Sequence, residues 1–272
     1  GRADEPMGEF WTPGGGAIHT CRGMASAGHV YGKRIIGAEA FTAHPTAGRW
    51  KNHPWSLKVL GDNAFCTGIN RLIFHRYAHQ PWMDLVPGMT MGQWGFHFDR
   101  TNTWFEKSSS WLRYLARCQF MLQQGMFQAE ALFMTPEVIP GLELSTRPAL
   151  PLGYDFDLAS AKLVRDQLFV EDGMICTPSG MRYHLLALPE IDEISVPLLK
   201  KIQQLVADGA HVVVSGKPKT SLGLENYPAS EKEVADIVAE VWQKLDGTNV
   251  TEVSYGKGKL YWTTTPLEVL RK

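Results

Sequence analysis

The sequence offers no charge of one sign to concentrate: 27 Lys and Arg stand against 28 Asp and Glu, and no basic cluster is longer than the pair Lys33-Arg34. A nucleic-acid surface or an anionic-membrane face needs a concentrated positive field, so neither is expected as a partner, and small neutral ligands remain. Long apolar runs are missing too. No stretch approaches the roughly 20 residues of a membrane span. Cysteine is sparse, and Cys21, Cys66, Cys118 and Cys176 lie too far apart for a CxxC metal site or a dense disulfide framework. They read as buried free thiols. The turn Val214-Ser215-Gly216-Lys217-Pro218 lacks the GxxxxGK[ST] spacing of a phosphate-binding loop. Repeats and low-complexity segments are absent as well. Met does not open the chain: Gly1 leads straight into Asp4-Glu5-Pro6-Met7-Gly8-Glu9-Phe10-Trp11, which suggests a piece of a longer protein with any targeting segment upstream.

What is present is unevenly spread. Seven of nine Trp fall before residue 112 and seven of nine His before residue 98, whereas the second half alternates Val and Leu with Lys and Glu. Two regions with different roles are expected, divided at residues 126 and 127. In the first, Cys21 to Gly32 suits a helix and Lys33 to Phe41 a short apolar strand ending at Glu39. Pro54 to Gly68 and Ile69 to Phe74 repeat the pattern, and Ser108 to Ser110 can cap a third helix with Trp111, Leu112, Leu115, Cys118, Met121 and Leu122 as its buried stripe. Helices alternating with fully apolar strands imply a parallel sheet covered on both faces, with ligands at the carboxyl ends of its strands. Two helix-strand units are too few to close an eight-stranded barrel. The second region reads as strands over 128–134, 182–188 and 211–215, helices over 159–168, 196–207 and 234–245 with Ser230 as an N-cap, and a closing hairpin turning at Gly256-Lys257-Gly258. That is a small open α/β sheet, flavodoxin-like in element order, reached through a long loop or linker over 136–153.

The candidate site residues cluster in the first region. A carboxylate at the end of a buried strand is costly unless water, a cation or a substrate hydrogen bond compensates it. Glycosidic hydrolysis needs two carboxyl groups across a sugar, one protonated and one ionised. Glu39 sits between small residues that leave room for a ligand, or serves a structural ion pair; Glu9 is open between the same two uses, and Glu5, before a proline, can simply be solvated. His75, Tyr77 and His79 alternate along an extended segment, forming either a sugar-hydroxyl-binding edge or buried histidines satisfied by backbone; a zinc site is disfavoured because no helical HExxH or Cys partner accompanies them. The long aromatic loop from Pro87 through Trp94 and His97 to Arg100, followed by Trp104, either stacks sugar faces or covers the end of the sheet. Leu188-Pro189-Glu190 lacks the cysteine that a glutamine amidotransferase carries in its nucleophile elbow, so the second region reads as structural or interaction-forming.

Several blocks in order, EPMGEFW, HVYGKRIIGAEAFT, GINRLIFHRYAHQP, PGMTMGQWGFHFDRTNTW and WLRYLARCQFMLQQG, resemble the C-terminal part of the catalytic region of the family 106 glycoside hydrolases, the α-L-rhamnosidases. YDFD, LALPEID and ADGAHVVVSGKP extend the resemblance into a glutamine-amidotransferase-like α/β domain. The resemblance implies the last part of a (β/α)8 TIM barrel over 1–126 and an amidotransferase-like domain without its catalytic cysteine over 127–272. It further implies bacterial polysaccharide degradation, a secreted or periplasmic parent protein, and an inverting two-carboxylate hydrolase releasing terminal α-L-rhamnose.

By position, Glu39 in GAEAFT resembles the general base. Glu9 in GEFW resembles a second active-site acid, and with Glu5 a ligand of an implied calcium ion. His75, His79, Trp94, His97 and Trp104 are expected to hold the sugar, and the general acid is expected upstream of Gly1. A retaining, β-galactosidase-like glycosidase with Glu39 as nucleophile, and a non-catalytic sugar-binding fragment, stand as alternatives.

Overall fold

The computed structural model describes residues 2–13, 18–86, 88–90, 92–137, 150, 152–263 and 266–270. The chain forms two compact units, one of residues 1–29 and 33–126 and one of 30–32 and 127–272. Among the described residues no helix is long and apolar enough to cross a membrane.

The first unit is built on three strands, β1 (Met7–Thr12), β2 (Gly37–Ala43) and β3 (Arg71–Phe74), with helices α1 (Ile18–Val30), α2 (Pro54–Cys66) and α3 (Ser109–Leu122). The strands are parallel and neighbours in chain order. Successive strand, helix, strand units give that order because each helix returns the chain to the start of the next strand. α2 begins at Pro54, which lacks the N–H a first-turn residue would leave unpaired, and Ser56 Oγ accepts from the His53 N–H at 3.0 Å. One sheet face packs on the helices: Phe10, Ala38 and Ala40 share a core with Cys21, Ala25, Leu57 and Ala64. The approach is close enough that a Cβ on Gly8 would stand 2.9 Å from the Cys21 backbone, so β1 needs glycine there.

Two expectations for this unit are corrected. Glu39 does not end its strand; it is the third of seven residues in β2, because pairing with β1 continues to Ala43. In α3 only Trp111 and Leu115 are buried, with Leu112 and Cys118 partly packed, whereas Met121 and Leu122 are exposed in the last turn, where Gln119 and Gln123 are the residues that meet the sheet, Gln119 Oε1 accepting from Leu72 N–H and Gln123 Nε2 donating to Asn70 O, each at 2.8 Å.

The second unit holds a six-stranded sheet. Its elements in chain order are β4 (Ala131–Met134), β5 (Phe156–Ala159), α4 (Ala161–Gln167), β6 (Phe169–Glu171), β7 (Met174–Cys176), β8 (Arg182–Tyr183), β9 (Leu185–Ala187), β10 (Glu193–Ile194), α5 (Val196–Asp208), β11 (His211–Val214), β12 (Thr220–Ser221), α6 (Ala229–Trp242), β13 (Glu252–Tyr255), β14 (Gly258–Trp262) and α7 (Pro266–Leu270). Across the sheet the order is β13-β14-β11-β9-β4-β5, parallel except for the edge strand β13. Numbering only the parallel strands along the chain gives 2-1-3-4-5, the flavodoxin-type order. Leu198, Leu199, Ile202, Leu205 and Val206 are the buried stripe of α5, and Gly209, at φ 127°, ends it. The hairpin turns on Gly256 and Lys257, with Tyr255 opposite Gly258.

Ser230 is no N-cap. It lies inside α6, buried, with its hydroxyl 3.0 Å from that of Ser221. Most of the 136–153 loop lies outside the described residues.

Candidate active site

The parallel register sets Glu9 beside Glu39 and Glu39 beside Ile73. Since side chains alternate along a strand, these three share the face turned away from the helices, together with Met7 and Gly37. That face is open: Met7 is 51% and Ile73 41% exposed, and both glutamates are half-buried. Glu39 Oε1 accepts a hydrogen bond from Thr42 Oγ1 at 2.6 Å. The Glu9 backbone is tied to α1, its N–H donating to Thr20 Oγ1 at 3.0 Å and its carbonyl accepting from Cys21 Sγ at 3.4 Å. Burial and the nearby Glu9 carboxylate push the Cys21 thiol up to about 12. Cys176 is also pushed up, chiefly by burial, while Cys66 is exposed. Since the thiolate is the nucleophile, iodoacetamide should label Cys66 first in the native protein, with Cys21 and Cys176 reacting only after denaturation, as peptide mass mapping would show.

Beyond β3 the chain returns over the ends of β2 and β3. His75 N–H donates to Ala40 O, Gly95 N–H to Ala43 O, Phe96 N–H to His75 O and Phe98 N–H to Arg76 O, all within 3.2 Å. Arg76 is 7% exposed; its Nη2 donates to Trp94 O at 2.9 Å, while Nε and Nη1 have no protein partner. Burial lowers its pKa, opposed by the charge of Asp99, itself buried. Asp99 accepts from Thr101 and from Gln80 Nε2, and Thr101 Oγ1 accepts from Trp50 Nε1 at 2.8 Å. These residues anchor the aromatic loop over the strand ends. Sequence reasoning passed over Thr42, Arg76 and Asp99; the charges of Arg76 and Asp99 amid aromatic residues were the one signal available.

The expected sugar-holding residues divide. Trp94 is 39% exposed, its ring edge-on to Trp11 at 6.0 Å and to His44 at 5.1 Å, which makes an accessible aromatic wall. His79 is exposed, as is Tyr77, while His75 is half-buried with Nδ1 unpartnered. The extended segment therefore does not present His75 and His79 alike. His97 departs from its expected role: it is fully buried, stacked on Trp50 at 3.9 Å and 6°, so a ligand cannot touch it. Trp104 is half-buried, its Nε1 held by Asn52 O at 2.9 Å and its ring packed among Phe96, Phe98 and Trp111. Aromatic character marks core and ligand walls equally, which is why pattern alone placed His97 at the sugar. Pro87 and Met91 lie outside the described residues.

Glu5 stands apart from Glu9 and Glu39. Both of its oxygens accept from Arg71 Nη1, at 2.8 and 2.9 Å, at the opposite end of the strands from Thr42. Among the described residues no three His, Cys, Asp or Glu side chains gather to hold a metal. Calcium takes six to eight oxygens, and Glu9 with an ion-paired Glu5 does not fit that requirement.

Burial pushes the His97 pKa below the ordinary value, helped by the positive charge of Arg76 and opposed by Asp99. The sign follows from linkage. Above about pH 6.5 the ring is neutral in folded and unfolded chains alike; as pH falls below that, only the unfolded chain takes up the proton, and stability drops. The urea midpoint of the first unit, followed by Trp fluorescence, should fall between pH 7.5 and 5, and less so in His97→Gln.

The second unit has a cavity of about 560 Å³ lined in part by Glu130, His184 and His211. It lies at the amino ends of β4, β9 and β11, opposite to where such sheets take ligands.

Two carboxylates in register on an open sheet face are groups that glycosidic hydrolysis can use, and the whole chain, residues 1–272, matches the model of the glycoside hydrolase family 106, described as alpha-L-rhamnosidase, to which it belongs. It is 42% identical over 255 residues to a protein of Formosa agariphila named "Putative beta-glucuronidase", covering 94% of this chain and 21% of that protein. It is also similar to the solved structure of a rhamnosidase from Novosphingobium sp. PP1Y, with a TM-score of 0.87 at 27% identity, covering 99% of this chain and 26% of that one. The chain thus spans about a fifth to a quarter of the length of these relatives.

Proposed function

We propose that the chain carries the general-base half of the active site of an inverting α-L-rhamnosidase, its first unit being the last part of a TIM barrel and its second an amidotransferase-like domain without a nucleophile. The observation that carries this reading is Glu39, mid-strand on the open sheet face, tethered by Thr42. In the proposed step, Glu39 accepts a proton from water as the water oxygen bonds to the anomeric carbon. The C–O bond to the leaving group breaks, and the leaving oxygen takes a proton from a general acid.

Glu9 is not that acid in this reading. It shares the open face with Glu39, in register on the neighbouring strand, whereas the family resemblance puts the general acid elsewhere in the parent protein. The acid is therefore assigned to sequence outside these 272 residues. Trp94, with His75 and His79, is assigned to the sugar, and His97 and Trp104 to supporting the loop. Calcium enters no step, because its ligands would have to come from elsewhere in the parent protein. A terminal rhamnosyl group on a bacterial-degraded polysaccharide is the proposed substrate, and a secreted or periplasmic parent protein the proposed setting.

The in-register placement of Glu9 and Glu39 on neighbouring strands is the observation behind a second reading, a retaining enzyme with Glu39 as nucleophile, whose carboxyl groups would have to stand about 5–5.5 Å apart. Proton NMR of the first-formed anomer from an aryl α-L-rhamnoside, using the full-length protein, separates the two. The β-anomer is expected. Release of the α-anomer overturns the inverting reading, and no hydrolysis together with retained rhamnose binding would leave a sugar-binding module.

A further inference from the structure

We infer that Thr42 is a positioning residue for the Glu39 carboxylate, brought to it by a bulge at Phe41; this rests on the reading of Glu39 as a reacting group. In an unbroken strand, residues 39, 41 and 43 share one face, and Thr42 would point to the helices with Ala38 and Ala40. β2 is not unbroken. Its partners run Phe10 with Ala40 and then Trp11 with Thr42, so Phe41 is an extra residue with no partner. Its φ is 62°, in the left-handed region that a bulky side chain rarely adopts.

The extra residue reverses the parity of the strand. Phe41 turns into the core on the helix side, fully buried, with ring centroids 5.0 Å from Phe10, 5.8 Å from Phe74, 5.7 Å from Phe96 and 5.8 Å from Trp111. Thr42, three residues beyond Glu39, is thereby returned to the glutamate's face. Its hydroxyl, in a residue only 4% exposed, donates to Glu39 Oε1. Bulges recur beside active sites because they re-aim one side chain, and strained backbone persists where the surroundings over-determine it. Four aromatic contacts do so here.

The hydrogen bond has a chemical consequence. A short hydroxyl-to-carboxylate bond is charge-assisted and fixes the plane of the carboxyl group. With Oε1 engaged by Thr42, Oε2 is the oxygen left to meet the water or, in the retaining reading, the anomeric carbon. Thr is also stiff at χ1, so the donor is held in place. Misaligning a reacting group by as little as about 1 Å can cost about 100-fold in rate.

The test uses the full-length protein and an aryl α-L-rhamnoside. Thr42→Val keeps the branched shape and removes the donor; kcat is expected to fall about 10–100-fold with KM within about twofold and thermal midpoint unchanged within a few degrees. Thr42→Ser, which restores the hydroxyl, should recover most of the loss. In a Glu39→Gln background, Thr42→Val should cost little more, since the two act as a unit. Wild-type kcat in Thr42→Val beside an inactive Glu39→Gln overturns this inference alone. So does a Thr42→Ser variant as impaired as Thr42→Val, since a restored hydroxyl would then fail to restore the rate. Full activity of Glu39→Gln overturns the assignment of Glu39 and this inference together.

Discussion

Glu39→Gln in the full-length protein is expected to lower kcat about 10²–10⁴-fold, the range that a positioned general base contributes. The substitution keeps the size of the side chain and its Oε1, which can still accept from Thr42, so the fold and the thermal midpoint should be preserved. KM should change little, because the base acts on water and its loss is felt in the transition state more than in substrate binding. Glu9→Gln, on the neighbouring strand, should cost less. The measurement is initial rates on an aryl α-L-rhamnoside with active-site concentration controlled by folded fraction. Undiminished turnover would remove Glu39 from the reaction. A fluorinated rhamnosyl probe adds a qualitative readout: covalent labelling of Glu39 is expected only if it is a nucleophile, and the inverting reading requires none.

Where periodicity is driven by burial, the elements were legible in the sequence. α2 starts at Pro54, as its proline and apolar spacing indicate, and the five inward residues of α5 are those its spacing selects. The final hairpin followed from two glycines around a lysine. Failures fall where another force decides. β1 carries a glycine because α1 presses against it, and a glycine in a strand is a poor strand signal read locally. The two-residue strands β10 and β12 are too short to carry a period at all, and the single strand expected over 182–188 is two, β8 and β9, in different sheets.

The candidate site shows the same division. Glu39 stood out as a charge among small residues, and it lies half-buried on the open face of the sheet. His97 was misplaced because an aromatic-rich loop reads identically whether its rings face solvent or one another; only its stacking on Trp50 and its full burial decide it. Thr42 was invisible for a different reason. Alternation assigns it to the wrong face, and nothing in GAEAFT announces that Phe41 will leave the ladder.

Phe41 should therefore be the most sensitive position of the first unit. Phe41→Ala removes a fully buried ring from contact with Phe10, Phe74, Phe96 and Trp111 and should destabilise the unit by about 3–5 kcal/mol, read from the urea midpoint by Trp fluorescence. Alanine keeps the left-handed backbone, and the strain of about 1–2 kcal/mol that Phe41 already bears, without the ring that holds it there. Glycine does not bear that cost. In an ordinary strand Gly is worse than Ala by about 0.5–1 kcal/mol; at position 41 the order should reverse, with Phe41→Gly as stable as Phe41→Ala or more so. The ordinary order would mean that the chain escapes the bulge once the ring is gone. In that event Thr42 would rotate off Glu39, and Phe41→Ala should lose turnover beyond what its folded fraction explains, whereas Phe41→Gly, which keeps the bulge accessible, should lose less.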